Sequence, residues 1–184
     1  MRRTLILGLA IVAGLACAPA CWGARAAPAP APIVDPPPPA SLEIVDVEAW
    51  ASAYLRRDAW TLITHDTEGA HFTRPQGAAA TGPFIVEADV RTELFRPVKM
   101  GQGWARSGLA HWSVDCANRR YAVLSMTIFS HNNLQGELAR KAAADRTWMT
   151  PIDSQAATIG VICKAVLSGE LLERPLAAKP AAPS

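Results

Sequence analysis

Cys116 and Cys163 constrain this chain more than any other two positions, because each sits in a different periodicity. In "HWSVDC" a period of two puts His111, Ser113 and Asp115 on one strand face and Trp112, Val114 and Cys116 on the other, apolar face. In the run after Pro151, with Asp153 or Ser154 as N-cap, Ile159, Ile162, Cys163, Val166 and Leu167 recur at i, i+3, i+4, i+7 and i+8, the stripe of a helix packed along one side. The two cysteines meet when that helix lies across the sheet. An α+β fold closed by a Cys116–Cys163 disulfide is therefore expected, with two free buried thiols as the alternative.

Oxidation depends on the compartment, and the N-terminus speaks to that. "MRRTLILGLAIVAGLAC" places two arginines before an apolar run from Leu5 to about Ala16, and "ARA" at 24–26 supplies the small residues a signal peptidase reads. The run falls short of the roughly 20 apolar residues of a bilayer span. Residues 1–26 are thus expected to be a signal peptide, with export to the periplasm or the outer-membrane surface. Lipidation at Cys17 is the alternative, since Gly14, Leu15 and Ala16 match a lipobox in part, and membrane association is expected only if Cys17 is lipidated.

Cleavage removes Arg2, Arg3 and Arg25 and no acid, which takes the formal charge from +2 to −1. No positive field remains to recruit nucleic acid. Cleavage also removes Cys17 and Cys21, leaving Cys116 and Cys163 as an even pair in an oxidising compartment.

Residues 27–40, "APAPAPIVDPPPPA", read as a Pro-rich spacer: proline fixes φ and lacks a donor, so the chain is extended and is neither strand nor helix. Residues 174–184 read as a disordered tail, and residues 41–173 as one domain. Within it "IVDVEAWASAYL" has helical spacing. "AWTLITHD" and "HFTRP" flank a turn at "TEGA", "GPFIVEADVRTELF" starts a strand after a Gly-Pro break, and "RTWMTP" is expected as a short strand. "YAVLSMTIFS" alternates with Ala122, Leu124, Met126 and Ile128 on one side and Tyr121, Val123, Ser125, Thr127 and Phe129 on the other. With the Cys116 run this makes about six strands in an antiparallel meander.

Trp60 opening the first strand, "DCANRRYAVLSMTIFS" from Asp115, "NLQG" from Asn133, Trp148 and "PIDSQAATIGVIC" ending at Cys163 together resemble the surface-adhesin protein E domain of Gram-negative bacteria. The resemblance covers residues of about 58 to 165. It implies a curved antiparallel sheet with a C-terminal helix tied across its concave face by a disulfide, here Cys116 to Cys163. It also implies an envelope protein of adhesive type, since the family's characterised member is an outer-membrane lipoprotein that binds host matrix and serum glycoproteins and is associated with haem. No adhesive residue carries over by motif, and fold transfers more firmly than function.

His111, Ser113 and Asp115 contain the ingredients of a hydrolase triad, but in a row on one strand face they lie roughly 6 to 7 Å apart, so a solvated face is expected. His65 and His71 bracket "DTEGA" and are the weak candidates for ligand binding: across a hairpin they could face each other and share a metal or haem iron, although exposed polar histidines are the plainer reading. "GQGWARSG" lacks the dinucleotide fingerprint and is expected to be a flexible loop, and Arg119 and Arg120 a solvated turn. Trp60, Trp112 and Trp148 read as core. The expected function is a non-enzymatic cell-envelope binding module whose partners are extracellular matrix or serum proteins. No resident cofactor or metal is expected. A periplasmic small-ligand or haem carrier is the alternative.

Overall fold

The computed structural model describes residues 32–74 and 78–168. Its elements in chain order are α1 (Ile44–Tyr54), β1 (Thr61–His65), β2 (Gly69–Thr73), β3 (Ala79–Ala80), β4 (Ile85–Met100), β5 (Gly103–Asp115), β6 (Arg120–His131), β7 (Gln135–Ala142) and α2 (Asp153–Leu167). The signal peptide, residues 27–31 of the spacer and the C-terminal tail expected from the sequence lie outside the described residues.

The strands form one open antiparallel sheet in the order β1-β2-β4-β5-β6-β7, with β3 beside β4 where β2 ends. Among the described residues it has seven strands. Register assigns the faces. Ala70, Phe72, Arg91, Glu93, Ser107 and Leu109 share one side, and Val86, Ala88, Val90, Trp112 and Val114 share the other. Helix α1 packs Val47, Trp50, Ala51 and Leu55 on the first side against Ala70, Phe72 and Phe95. Helix α2 packs Ile159 and Ile162 on the second side against Val86, Val90, Trp112, Val114 and Tyr121. Each face of the sheet therefore has its own apolar core, and Trp50 meets Phe95 edge-on at 5.2 Å.

The disulfide joins Cys116, just beyond β5, to Cys163 on α2. The helix begins at Asp153 with Ile152 in the cap position, one residue earlier than the expected N-cap. The Gln155 side chain accepts the Ile152 N–H at 3.1 Å and does the work of a cap from inside the first turn.

Several sequence expectations are corrected. "GQGWARSG" is not a loop: β4 runs to Met100, Gly101 turns in the left-handed region at φ +58, and β5 starts at Gly103. "RTWMTP" is not a strand. It contributes one bridge, Met149 to Tyr121, while "QGELARKA", which lacks an apolar alternation, forms the edge strand β7. The even alternation of β6 is broken by a bulge at Leu124, because His111 pairs with Ser125 and Trp112 with Val123. The extra residue shifts the phase. Tyr121 and Val123 consequently share the α2 face with Met126 and Ile128.

The end of the Pro-rich segment is built into the fold. Asp35 Oδ1 accepts the Asn132 N–H at 3.0 Å, its Oδ2 meets His131 Nδ1 at 3.0 Å and Arg106 Nε at 3.3 Å, and Trp50 Nε1 donates to the Pro37 carbonyl at 2.6 Å. Pro36 is buried.

Candidate functional site

The hairpin of the two candidate histidines is shaped by Asp66. Its Oδ1 accepts the N–H groups of Glu68 and Gly69 at 2.9 and 3.0 Å, a side-chain mimic of a backbone turn. Gly69 is required for close approach: a Cβ there would lie 2.5 Å from the Glu93 carbonyl oxygen. The register pairs His65 with Ala70 and Thr64 with His71, so the two imidazoles point to opposite faces and do not come together. The expected facing pair is thereby corrected. His71 has both ring nitrogens engaged, Nε2 at 3.0 Å from Asp66 Oδ2 and Nδ1 at 3.1 Å from Thr92 Oγ1, while His65 Nε2 lies 2.8 Å from the Leu42 carbonyl. Burial pushes the Asp66 carboxyl up, but the hydrogen bonds from His71, Glu68 and Gly69 outweigh it and hold the group below the ordinary aspartate range.

His111, Ser113 and Asp115 are not assembled into a relay. His111 sits between two carboxylates of β4, with Nδ1 2.9 Å from Asp89 and Nε2 3.5 Å from Glu87. Arg74 pairs with Asp89 at 2.6 Å and Arg146 with Glu87 at 2.8 Å, which extends the row of alternating charge across the face. Asp115 binds Asn118 and Arg120 and organises the β5–β6 turn. The hydrogen bond from Asn118 leads in holding its carboxyl below the ordinary range. The expected solvated face holds only for His111: Ser113 and Asp115 are buried, and Ser113 Oγ is without a hydrogen-bond partner. Arg119 is exposed with φ +50, as a turn residue. Trp60 and Trp112 belong to the two cores, whereas Trp148 is half-buried with the guanidinium carbons of Arg120 and Arg146 at 4.8 and 5.8 Å from its ring. Among the described residues no three His, Cys, Asp or Glu side chains converge as a ligand set for a metal ion.

A buried polar knot unread in the sequence holds the α1 face. Arg91 Nε donates to Glu93 Oε1 at 2.6 Å, and Glu93 also accepts from Asn132 Nδ2 at 2.9 Å and from the Asn133 N–H at 3.1 Å. Arg91 reaches the Arg56 carbonyl at 2.7 Å, and the Asn133 side chain takes the Arg56 N–H at 2.7 Å and donates to the Tyr54 carbonyl at 3.1 Å. The knot therefore ties the end of α1 and the β6–β7 turn to the middle of β4. Asn133 and Leu134 adopt φ +62 and +57 to make that turn. The "NN" in "HNNLQG" is the only sequence sign of it.

The α2 face carries an apolar groove of about 390 Å³ where the helix leaves the sheet uncovered, lined by Leu94, Trp112, Val123, Met126, Ile128 and Met149. The Leu124 bulge is what brings Val123 and Met126 to the same wall.

The chain is matched over residues 60–164 by the family described as surface-adhesin protein E. Among solved structures it is similar to Haemophilus influenzae protein E, at 17% identity with 59% of this chain and 86% of that chain covered and a TM-score of 0.43. It is likewise similar to protein E from non-typeable Haemophilus influenzae, at 16% identity with 61% and 80% covered and a TM-score of 0.43. No curated protein matches it. The family match spans more than half of the 184 residues and includes both disulfide cysteines, so the chain belongs to the surface-adhesin protein E family.

Proposed function

We propose that this protein is an exported, non-enzymatic binding module of the cell envelope, an adhesin-type domain that recognises extracellular matrix or serum glycoproteins. The observation that carries the reading is the family match over residues 60–164, which takes in all seven described strands in full and most of α2. Support comes from the covalent frame, because the Cys116–Cys163 bond ties the end of β5 to α2 and so lowers the ordering cost of a surface presented beside it. Export follows from residues 1–26, with the mature chain beginning at Ala27 and no lipid on Cys17. The test is protease treatment of intact cells followed by solid-phase binding of the exported protein to matrix and serum glycoproteins. Digestion at the cell surface and saturable binding are expected. Protection in intact cells together with no glycoprotein binding would reject the reading.

The apolar groove favours a second reading, a periplasmic carrier of a small apolar ligand. A haem form of that carrier has to take its iron ligand from somewhere other than a His65–His71 pair, because these two imidazoles face apart.

A further inference from the structure

The groove on the α2 face adjoins two further hollows. At one end it shares Met100 and Ile128 with a hollow of about 630 Å³ that reaches Leu138 and Ala139 on β7. At its flank it shares Val123, Met126 and Met149 with a hollow of about 280 Å³ that holds Lys141 and Asp145. The apolar groove is thus bordered on one flank by the charged side chains Lys141 and Asp145.

Its chemistry is selective. Three polar side chains line the main groove, Thr92, Tyr121 and Gln155, while the Ser107 side chain faces the α1 side with Glu93. Two of them have their oxygens engaged within the protein: Thr92 Oγ1 with His71 and Gln155 Oε1 with the Ile152 N–H. Such a wall has little to offer a glycan or a polar peptide, whose desolvated groups would go unpaired. Three methionines, Met100, Met126 and Met149, give it a soft surface that adapts to a flexible chain. Register places Lys141 opposite Met126, at the rim of that same wall. Lys141 is exposed and makes no ion pair or hydrogen bond among the described residues, and Asp145 in the same hollow makes none with it.

We propose that this groove holds the alkyl chain of a long-chain carboxylate, with the Lys141 ammonium meeting the carboxylate at the mouth. The proposal rests on the carrier reading of the groove and names its ligand class; it is independent of the adhesive reading. The apolar wall supplies affinity through buried methylenes, and Lys141 supplies the preference for an anionic head over a neutral or cationic one. Asp145 sets that preference lower than an unopposed lysine would.

The test is calorimetric titration of the exported protein with dodecanoate, dodecanol and dodecyltrimethylammonium, with haem as a separate probe. One-to-one binding of dodecanoate, at least tenfold tighter than of the cation, is expected. Lys141→Glu should weaken dodecanoate at least tenfold and leave dodecanol unchanged, Asp145→Asn should tighten dodecanoate, and Met126→Glu should abolish binding of both while the thermal melt keeps its cooperativity. Met126 is 37% exposed, so its replacement is compatible with folding. Equal binding of anion and cation, or insensitivity to Met126→Glu, would overturn the proposal. So would a concentration-dependent dimer that Met126→Glu dissolves, since a second copy would then be the occupant. Haem bound in place of dodecanoate would overturn the proposal and leave the carrier reading standing; binding of neither would overturn both.

Discussion

Arg91 and Glu93 stand two residues apart on the same face of β4, their side chains 4% and 0% exposed, with Arg91 Nε 2.6 Å from Glu93 Oε1. Burial drives the Glu93 carboxyl above the ordinary range, and Arg91, Asn132 and Asn133 only partly offset it. Removing one partner of such a pair strands the other in a dry interior. Glu93→Ala is expected to destabilise the fold by about 3–5 kcal/mol, read from urea unfolding. Glu93→Gln, which keeps an acceptor for Arg91 and Asn132, should cost less than Glu93→Ala. Equal losses in the two variants would mean that the acceptor is not what the knot needs.

The disulfide closes a loop of sequence separation 47. Cys116→Ala/Cys163→Ala is expected to lose about 4 kcal/mol in the chain-entropy account, seen as a lower midpoint in chemical denaturation. Non-reducing mass spectrometry of the exported protein should recover the 116–163 linkage. Free thiols at both positions would count against the helix lying across the sheet as well as against the bond.

Asp35 and Trp50 fasten the end of the Pro-rich segment. Asp35→Ala breaks three contacts at once, to His131, Asn132 and Arg106, and is expected to destabilise by about 1–3 kcal/mol. Trp50→Phe removes one hydrogen bond to the Pro37 carbonyl and should cost about 1 kcal/mol beyond its change in packing. Limited proteolysis provides the local readout: cleavage within residues 36–40 should appear in Asp35→Ala before the domain melts. An unchanged digestion pattern would show that the segment is held by something else.

Acid should destabilise the protein through named carboxylates. Asp66 and Asp89 are both held below the ordinary aspartate value of 3.8, in each case because hydrogen bonds, from His71 and from Arg74 and His111 respectively, outweigh burial. A carboxyl with a lowered folded pKa stabilises the fold fully above its unfolded value, and that contribution is lost as pH falls through the folded value. Stability should therefore drop below about pH 4, with each such group adding at most about 1.4 kcal/mol per pH unit to the slope. Glu93 works in the opposite sense, losing its contribution as pH rises from the ordinary value of 4.5 through its raised folded value. Asp89→Asn should flatten the acid limb of a plot of melting temperature against pH, and an unaltered slope would remove Asp89 from the account.

Gly69→Ala tests a close approach. The added methyl would sit 2.5 Å from the Glu93 carbonyl oxygen, a backbone atom that cannot swing aside. A loss of about 1–3 kcal/mol is expected from overpacking. Full stability would show that β2 and β4 separate there without penalty.

Much of this was legible in the chain itself. Helical spacing from Ile44 and from Ile159, the turn at "TEGA" and the pairing of Cys116 with Cys163 follow from periodicities of two and 3.6, because burial on one face imprints itself on every second or every third and fourth residue. β7 was not legible for the same reason: as an exposed edge strand it buries nothing on either face and leaves no alternation to read. The first half of β5 hid behind its glycines. The Leu124 bulge was silent because a phase shift is defined only against the partner strand, and it is this shift that builds the groove wall from Val123 and Met126.

Local sequence thus determined which segments extend, which coil and which two sulfurs bond. Tertiary structure alone decided that His65 and His71 face apart, that Asp35 reaches across the chain to His131, and that Glu93 is buried with Arg91 and the asparagines of a distant turn. Those outcomes depend on register and on contacts between residues dozens of positions apart, where the free energy is set by which groups can leave water together, and no local pattern records that.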